Sequence, residues 1–234
     1  MALTIIPVRG VGEVSPGDDV ATLLLDALRR DDLSLVDGDV VVVTHKIVSK
    51  AEGRIVELAD DDPDAHRAVV EREAAAILRR RGPLTITKTR HGFICANAGV
   101  DRSNAGPGRA VLLPVDPDAS AHRIRLRMER TTGVRLAVVV TDTFGRPWRR
   151  GLVDVAIGVS GMEPLTDLRG TTDTHGRVLD VTEVAVADEV AAAADLVMGK
   201  ATGIPAAVVR GLHLGVGEGR ATDLVRPASE DLFR

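Results

Sequence analysis

Two hydrophobic periods alternate along the chain. Residues 3–8 form a short apolar run with a glycine-rich turn after it, which predicts a strand. Over 18–30 the period lengthens, and Leu23, Leu24, Leu25 and Leu28 can share one helix face. Asp37-Gly38 signals a turn, and 39–44 is almost pure valine, the mark of a strand buried on both faces. The stretch 51–58 reads as a further strand, and 64–81 as a charged amphipathic helix closed by Pro83. Strands are expected over 84–89 and 92–96, and a helix over 119–131. A strand follows over 134–141, with Asp142 at its end. Periodicity leaves 152–160 open between strand and helix. The region 181–198 holds a strongly helical, alanine-rich stretch stopped by Gly199, and 204–210 reads as the last strand.

Strands and helices mix without a regular β-α repeat, so the expected class is α+β or mixed α/β with a non-Rossmann topology. No GxGxxG opens a helix after a strand, and no GxxxxGK[ST] is present. A length of 234 residues suits one large domain or two small ones. No apolar stretch reaches the length of a membrane span, and the N-terminus lacks the features of a signal peptide. The single cysteine, Cys95, cannot form an internal disulfide, which fits the cytoplasm. A net charge of −4 gives no general attraction to nucleic acid. The cations are nearly all arginine, in keeping with base composition, and the few lysines are Lys46, Lys50, Lys88 and Lys200.

Three segments carry candidate chemistry. In THKIVSKAEGR, residues 44–54, a buried strand delivers His45, Lys46, Ser49 and Lys50 together. Two lysines four apart suit phosphate oxygens; the alternative is a solvated strand end. In CANAGVDRSNAG, residues 95–106, Asp101 and Asn104 offer the oxygen ligands of a hard divalent cation, or form an ordinary Asx turn. In VVVTDTFGRPWRRG, residues 138–151, Asp142 stands between two threonines and is followed by Arg146, Arg149 and Arg150. One carboxylate for a metal and several cations for anionic oxygens equip a site for phosphoryl transfer, while the alternative is a strand-end aspartate paired with a neighbouring arginine. Asp188 and Glu189 read as structural or as part of a subunit contact. GVGEG, residues 215–219, reads as a phosphate-wrapping loop or a hairpin turn.

These segments resemble those of the coenzyme F420-0:gamma-glutamyl ligase family. The matching stretches are DGDVVVVTHKIVSKAEGR, ANAGVDRSN, LLPVDPDASA, VVVTDTFGRPWRRG, DVTEVAVADEVAAAADLVMGKATGIPAAVVRG and the terminal DLFR. They run in the family's order over nearly the whole chain, so the resemblance makes 1–234 one ligase domain. It is especially close to the ligase domain of an actinobacterial two-domain form, in which a C-terminal flavin-binding domain follows. The resemblance implies an unusual mixed α/β fold that forms an intertwined homodimer. It implies a GTP-dependent ligase that adds L-glutamate to coenzyme F420-0 with Mg²⁺ or Mn²⁺, with K⁺ as a further candidate ion. By resemblance Asp101 and Asp142 hold metal, and Thr143 contributes to a second metal position. Val11, Gly12, Glu13, Val14, His45, Lys46, Lys50 and Asn104 then contact the nucleotide. Arg146, Arg149 and Arg150 are candidates for phosphate or substrate, as are Gly199 and Lys200 in a further contacting stretch at 198–204. Lys200 departs from relatives that carry an acidic metal ligand there. The same aspartates would also suit a metal-dependent phosphohydrolase, and a non-catalytic nucleotide- or deazaflavin-binding module is the reading from another class.

Overall fold

The structure, a computed structural model, describes residues 2–58, 63–215 and 217–232. In chain order the elements are β1 (Thr4–Val8), α1 (Val20–Arg30), β2 (Val40–Thr44), α2 (His45–Ala51), β3 (Ile55–Glu57) and α3 (Pro63–Glu73). Then come β4 (Ala74–Arg81), β5 (Leu84–Thr89), β6 (Ile94–Ala96), β7 (Arg109–Val111) and α4 (Pro117–Thr132). The last are β8 (Ala137–Gly145), β9 (Leu152–Ser160), β10 (Thr166–Asp167), β11 (Glu183–Val184), α5 (Val186–Met198) and β12 (Ala206–Arg210).

A five-stranded sheet in the order β1-β12-β2-β8-β9 forms the centre, with β4-β5-β6 as a separate three-stranded sheet and two small pairs, β3-β7 and β10-β11. Within the central sheet only β2 and β8 run parallel; the other neighbours are antiparallel. Val40 to Val43 and Val138 to Val140 are all 0% exposed, so both faces of the sheet are covered. The cover comes from α1 and α4, which pack on each other, and from α5, which lies on β9, β12 and β1. α4 comes so close to β9 that a Cβ on Gly158 would sit 2.3 Å from the Pro117 carbonyl oxygen. Asp116 caps α4 by accepting from Ala119 N at 3.0 Å, and Gly133 at φ 76° ends it. The mixed, non-Rossmann class and most elements agree with the sequence pattern, and 152–160 proves to be strand.

Three expectations are corrected. The segment after Thr44 is a helix, α2, which buries His45, Val48 and Ser49 at i, i+3 and i+4. The predicted helix over 64–81 breaks at Glu73, and 74–81 instead pairs antiparallel with β5. The strand around Asp142 does not end there but runs to Gly145, paired with β9 throughout. In α5, Ala187, Val190, Ala191 and Ala194 are buried, and the helix packs on β9, β12 and β1. Among the described residues no helix is long and apolar enough to cross a membrane. Phe233 and Arg234 of the DLFR stretch lie outside the described residues, as does Val216 of GVGEG. The flanking Gly217 and Gly219 sit against Glu163 and Pro164.

Candidate functional site

β2 ends at Thr44, opposite Thr141, while its parallel neighbour β8 runs on to Gly145, so the sheet opens at the C-terminal end of this parallel pair. A cavity of about 720 Å³ lies there. Five segments remote in sequence line it: the 11–13 loop, α2 with Thr44, the 103–106 loop with Arg109, the β8–β9 pair, and the end of α5 with the 199–205 loop. A hydrogen bond from Thr44 N to Pro205 O, 2.9 Å, fastens the first of β2's exits to the last of these loops.

Because α2 starts directly at the strand end, its side chains are delivered to the cavity floor. Lys46 and Lys50 sit one helical turn apart and both line the cavity. Each ammonium already holds a carboxylate: Lys46 Nζ is 2.9 Å from Asp101 Oδ2, and Lys50 Nζ is 2.5 Å from Glu13 Oε1. His45 is 0% exposed and does not line the cavity. Its Nδ1 lies 3.2 Å from Ser49 Oγ. Its Nε2 lies 3.3 Å from Asp142 Oδ1 but off the hydrogen-bonding direction, so this buried nitrogen has no hydrogen-bond partner.

The 101–106 loop forms the Asx turn that its composition suggests. Asp101 Oδ1 accepts from Ser103 N at 2.7 Å, and Oδ2 accepts from Ser103 Oγ at 2.8 Å. Burial opposes ionisation of Asp101, but the Lys46 ammonium and the Ser103 donors outweigh it and hold its pKa below the usual carboxylate value. Asn104 stands at φ 56° on the cavity rim.

Adjacent strand residues point to opposite faces, so Asp142 and Thr143 divide between the two sides of β8. Asp142, 8% exposed, accepts from Thr143 N at 2.7 Å and faces His45 and Cys95. Burial, and after it the Asp142 charge, pushes the Cys95 thiol up to about 12. Thr143 faces the cavity opposite Asp154 of β9, a residue that sequence reasoning missed. Asp154 Oδ1 accepts from Thr143 Oγ1 at 2.6 Å and Oδ2 from Thr141 Oγ1 at 2.9 Å. Its signal was present in LVDVAIGVS, a charged residue set in an otherwise apolar strand. Asp195 of α5 was missed too. Burial and then the charge of Asp154 raise its pKa, with Lys200 acting in the opposite direction.

Of the expected residues, Val11, Gly12, Glu13, Lys46, Lys50, Asn104, Thr143, Gly199 and Lys200 therefore line one cavity. Asp101, Asp142 and His45 stand behind its wall, each in contact with a lysine or with one another. Val14 is 4% exposed and packs in the core. Arg146, Arg149 and Arg150 are on the exposed β8–β9 turn, where Arg146 donates to the Arg150 carbonyl at 2.6 Å. Arg109, which lines the cavity, was not anticipated. Asp188 is structural: its Oδ1 accepts from Ala156 N at 2.9 Å. None of the described residues of the 215–219 stretch lines the cavity.

Among the described residues no three His, Cys, Asp or Glu side chains converge as a finished metal cage. The donors present are carboxylate, hydroxyl and amide oxygens, a hard set that fits Mg²⁺ or Mn²⁺ completed by water and phosphate.

The chain matches the family model described as F420-0:Gamma-glutamyl ligase over residues 10–211. It is 43% identical to the Coenzyme F420:L-glutamate ligase of Methanothermobacter thermautotrophicus, with the whole of both chains covered. It is 43% identical to the protein of that name from Methanopyrus kandleri, covering 99% of this chain and 98% of the relative. The protein of that name from Archaeoglobus fulgidus is 40% identical over 100% of this chain and 97% of its own. Matches of this identity over whole chains leave no separate region to explain: the chain belongs to the F420-0:gamma-glutamyl ligase family.

Proposed function

We propose that the chain is a GTP-dependent amide ligase that adds L-glutamate to coenzyme F420-0 through an acyl phosphate. The observation that carries this reading is the gathering of Lys46, Lys50, the 11–13 loop and the 103–106 loop around one cavity floored by Thr143 and Asp154. The coenzyme's terminal carboxylate attacks the γ-phosphorus of GTP, and the bond from phosphorus to the β–γ bridging oxygen breaks. GDP leaves, and an acyl phosphate remains. The amine of glutamate then attacks the acyl carbon, loses a proton and expels inorganic phosphate, leaving the amide.

The chain's own residues bind and orient. Lys46 and Lys50 exchange their present carboxylate partners for phosphate oxygens, so Asp101 and Glu13 are released as nucleotide enters. Asp101 and Asp142 would hold one divalent cation and Thr143 would contribute to a second; when bound, these supply positive charge to the phosphates. Lys200 and Arg109 on the rim face the anionic substrates. Incubation with GTP, glutamate, Mg²⁺ or Mn²⁺ and the coenzyme precursor tests the reading. Ligation gives GDP and a product heavier by one glutamyl residue. GDP without that product marks a phosphohydrolase, and neither product marks a binding module; both outcomes reject the proposal. The family resemblance also leads us to propose a homodimer in the cytoplasm, tested by sedimentation over a dilution series. A fully active monomer at nanomolar concentration rejects the dimer.

A further inference from the structure

We propose that Asp154 is a positioning residue: it fixes which way the Thr143 hydroxyl faces the cavity, and so sets the site's grip on a divalent cation. The inference rests on the reading of this cavity as a cation site. Asp154 is 5% exposed and lines the cavity. Its two carboxylate oxygens take one hydroxyl each, from Thr143 at 2.6 Å and from Thr141 at 2.9 Å. Thr141 is itself 0% exposed. A hydroxyl carries one proton and two lone pairs. With that proton committed to a carboxylate, Thr143 Oγ1 has none to donate to the cavity and offers it lone pairs alone. That is the orientation a cation requires. The bond is charge-assisted and short, so the orientation is held firmly.

The backbone is built to make this pair. The β8–β9 register changes between Val140, opposite Gly158, and Thr141, opposite Ala156. Had the first register continued, Val155 would stand opposite Thr143. The one-residue shift instead brings Asp154 there and leaves Thr141 on the same face, within reach of the second carboxylate oxygen. Residues that orient a metal ligand in this way are commonly worth about 10–100-fold in metal affinity.

Direct Mn²⁺ binding, read from the electron paramagnetic resonance signal of the free ion, tests the proposal without turnover. Wild type, Asp154→Asn, Thr143→Val and the double variant are titrated with Mn²⁺ in the presence of GDP. The neutral amide has one acceptor in place of two and no charge, so the Thr143 proton is free to turn. We expect Asp154→Asn to weaken Mn²⁺ binding about tenfold in the wild-type background. In the Thr143→Val background it should change binding by less than about twofold, because the residue acts through that hydroxyl. Thr141→Val, which leaves the Thr143–Asp154 bond in place, should bind Mn²⁺ like wild type. Circular dichroism checks folding, and Asp154→Ser replaces the asparagine variant if the latter does not fold. Losses that multiply in the double variant, or an Asp154 variant that binds Mn²⁺ normally, overturn the positioning role and leave the cation site standing. A wild-type protein that binds no Mn²⁺ overturns the cation site itself, and the inference with it.

Discussion

Arg210→Met should destabilise the protein sharply and leave its chemistry alone. Arg210 ends β12 and grips Asp39 just before β2, with Nε 2.8 Å from Oδ1 and Nη2 2.7 Å from Oδ2. Asp39 is 1% exposed, and its one further donor is Val36 N at 2.9 Å. Methionine keeps much of the apolar stem but leaves a buried carboxylate without its countercharge. Breaking one side of a buried pair costs about 3–5 kcal/mol. The Arg210 side chain is 30% exposed, so water already screens this pair, and the lower end, about 3 kcal/mol, applies. For a chain of this size each kcal/mol lowers the melting midpoint by about 2–4 °C, which gives a fall of about 6–12 °C. β2 and β12 reach the cavity at their opposite ends, through Thr44 and Pro205. Ligation per folded molecule, assayed well below the melt, should therefore equal wild type. Calorimetry checks the first expectation and product formation the second. A fall of less than about 2 °C would show that the pair is too well solvated for the reasoning.

Other expectations follow from the site. Asp142→Asn should abolish ligation while circular dichroism stays unchanged, since the loss of one charged cation ligand commonly removes several kcal/mol of transition-state stabilisation; normal turnover at saturating metal rejects that role. Lys50→Ala should weaken GTP binding in calorimetry far more than Lys88→Ala, because Lys50 lines the cavity and Lys88 does not; equal affinities remove Lys50 from the site. Cys95, raised from 9.0 to about 12, is thiolate at pH 8 to only about one part in ten thousand, against about one in ten for an unperturbed thiol. Iodoacetamide should thus label the folded protein about a thousandfold more slowly than the unfolded chain. Because the folded pKa is the higher one, the stability that depends on this thiol is intact below about pH 9 and is lost as pH rises toward 12. Cys95→Ser should remove that alkaline slope from a plot of melting midpoint against pH.

Strand and helix were most legible where one period ran unbroken, as in the valines of β2 and the leucines of α1. The reading failed where local preference and tertiary pairing disagree. Seven of the eight residues of Ala74–Arg81 are alanine, leucine or arginine, all good helix formers, with Ile77 the exception, yet β5 claims its backbone. The α2 segment is too short for its period to register, and its helix depends on the layer it packs under. In the site, Lys46, Lys50 and Asn104 stood out by chemical type and Thr143 by the family resemblance, and the structure places all four on one cavity. Asp154 stood out only as a charge in an apolar strand; its place opposite Thr143 depends on the register shift in β8–β9, and no local pattern encodes a register.

The place of β12 in the central sheet has a consequence for how the chain is made. It is inserted between β1 and β2, yet among the described strands it is the last in the chain. Until residue 210 has left the ribosome, β1 has no partner and one edge of β2 is bare. A valine-rich strand with an open edge is an invitation to pair with another nascent chain. Closure also joins segments about two hundred residues apart, the kind of non-local pairing that forms slowly. Overexpressed protein should therefore be most prone to aggregate before release, and slower translation or an added holding chaperone should raise the soluble yield more than any change to the finished surface.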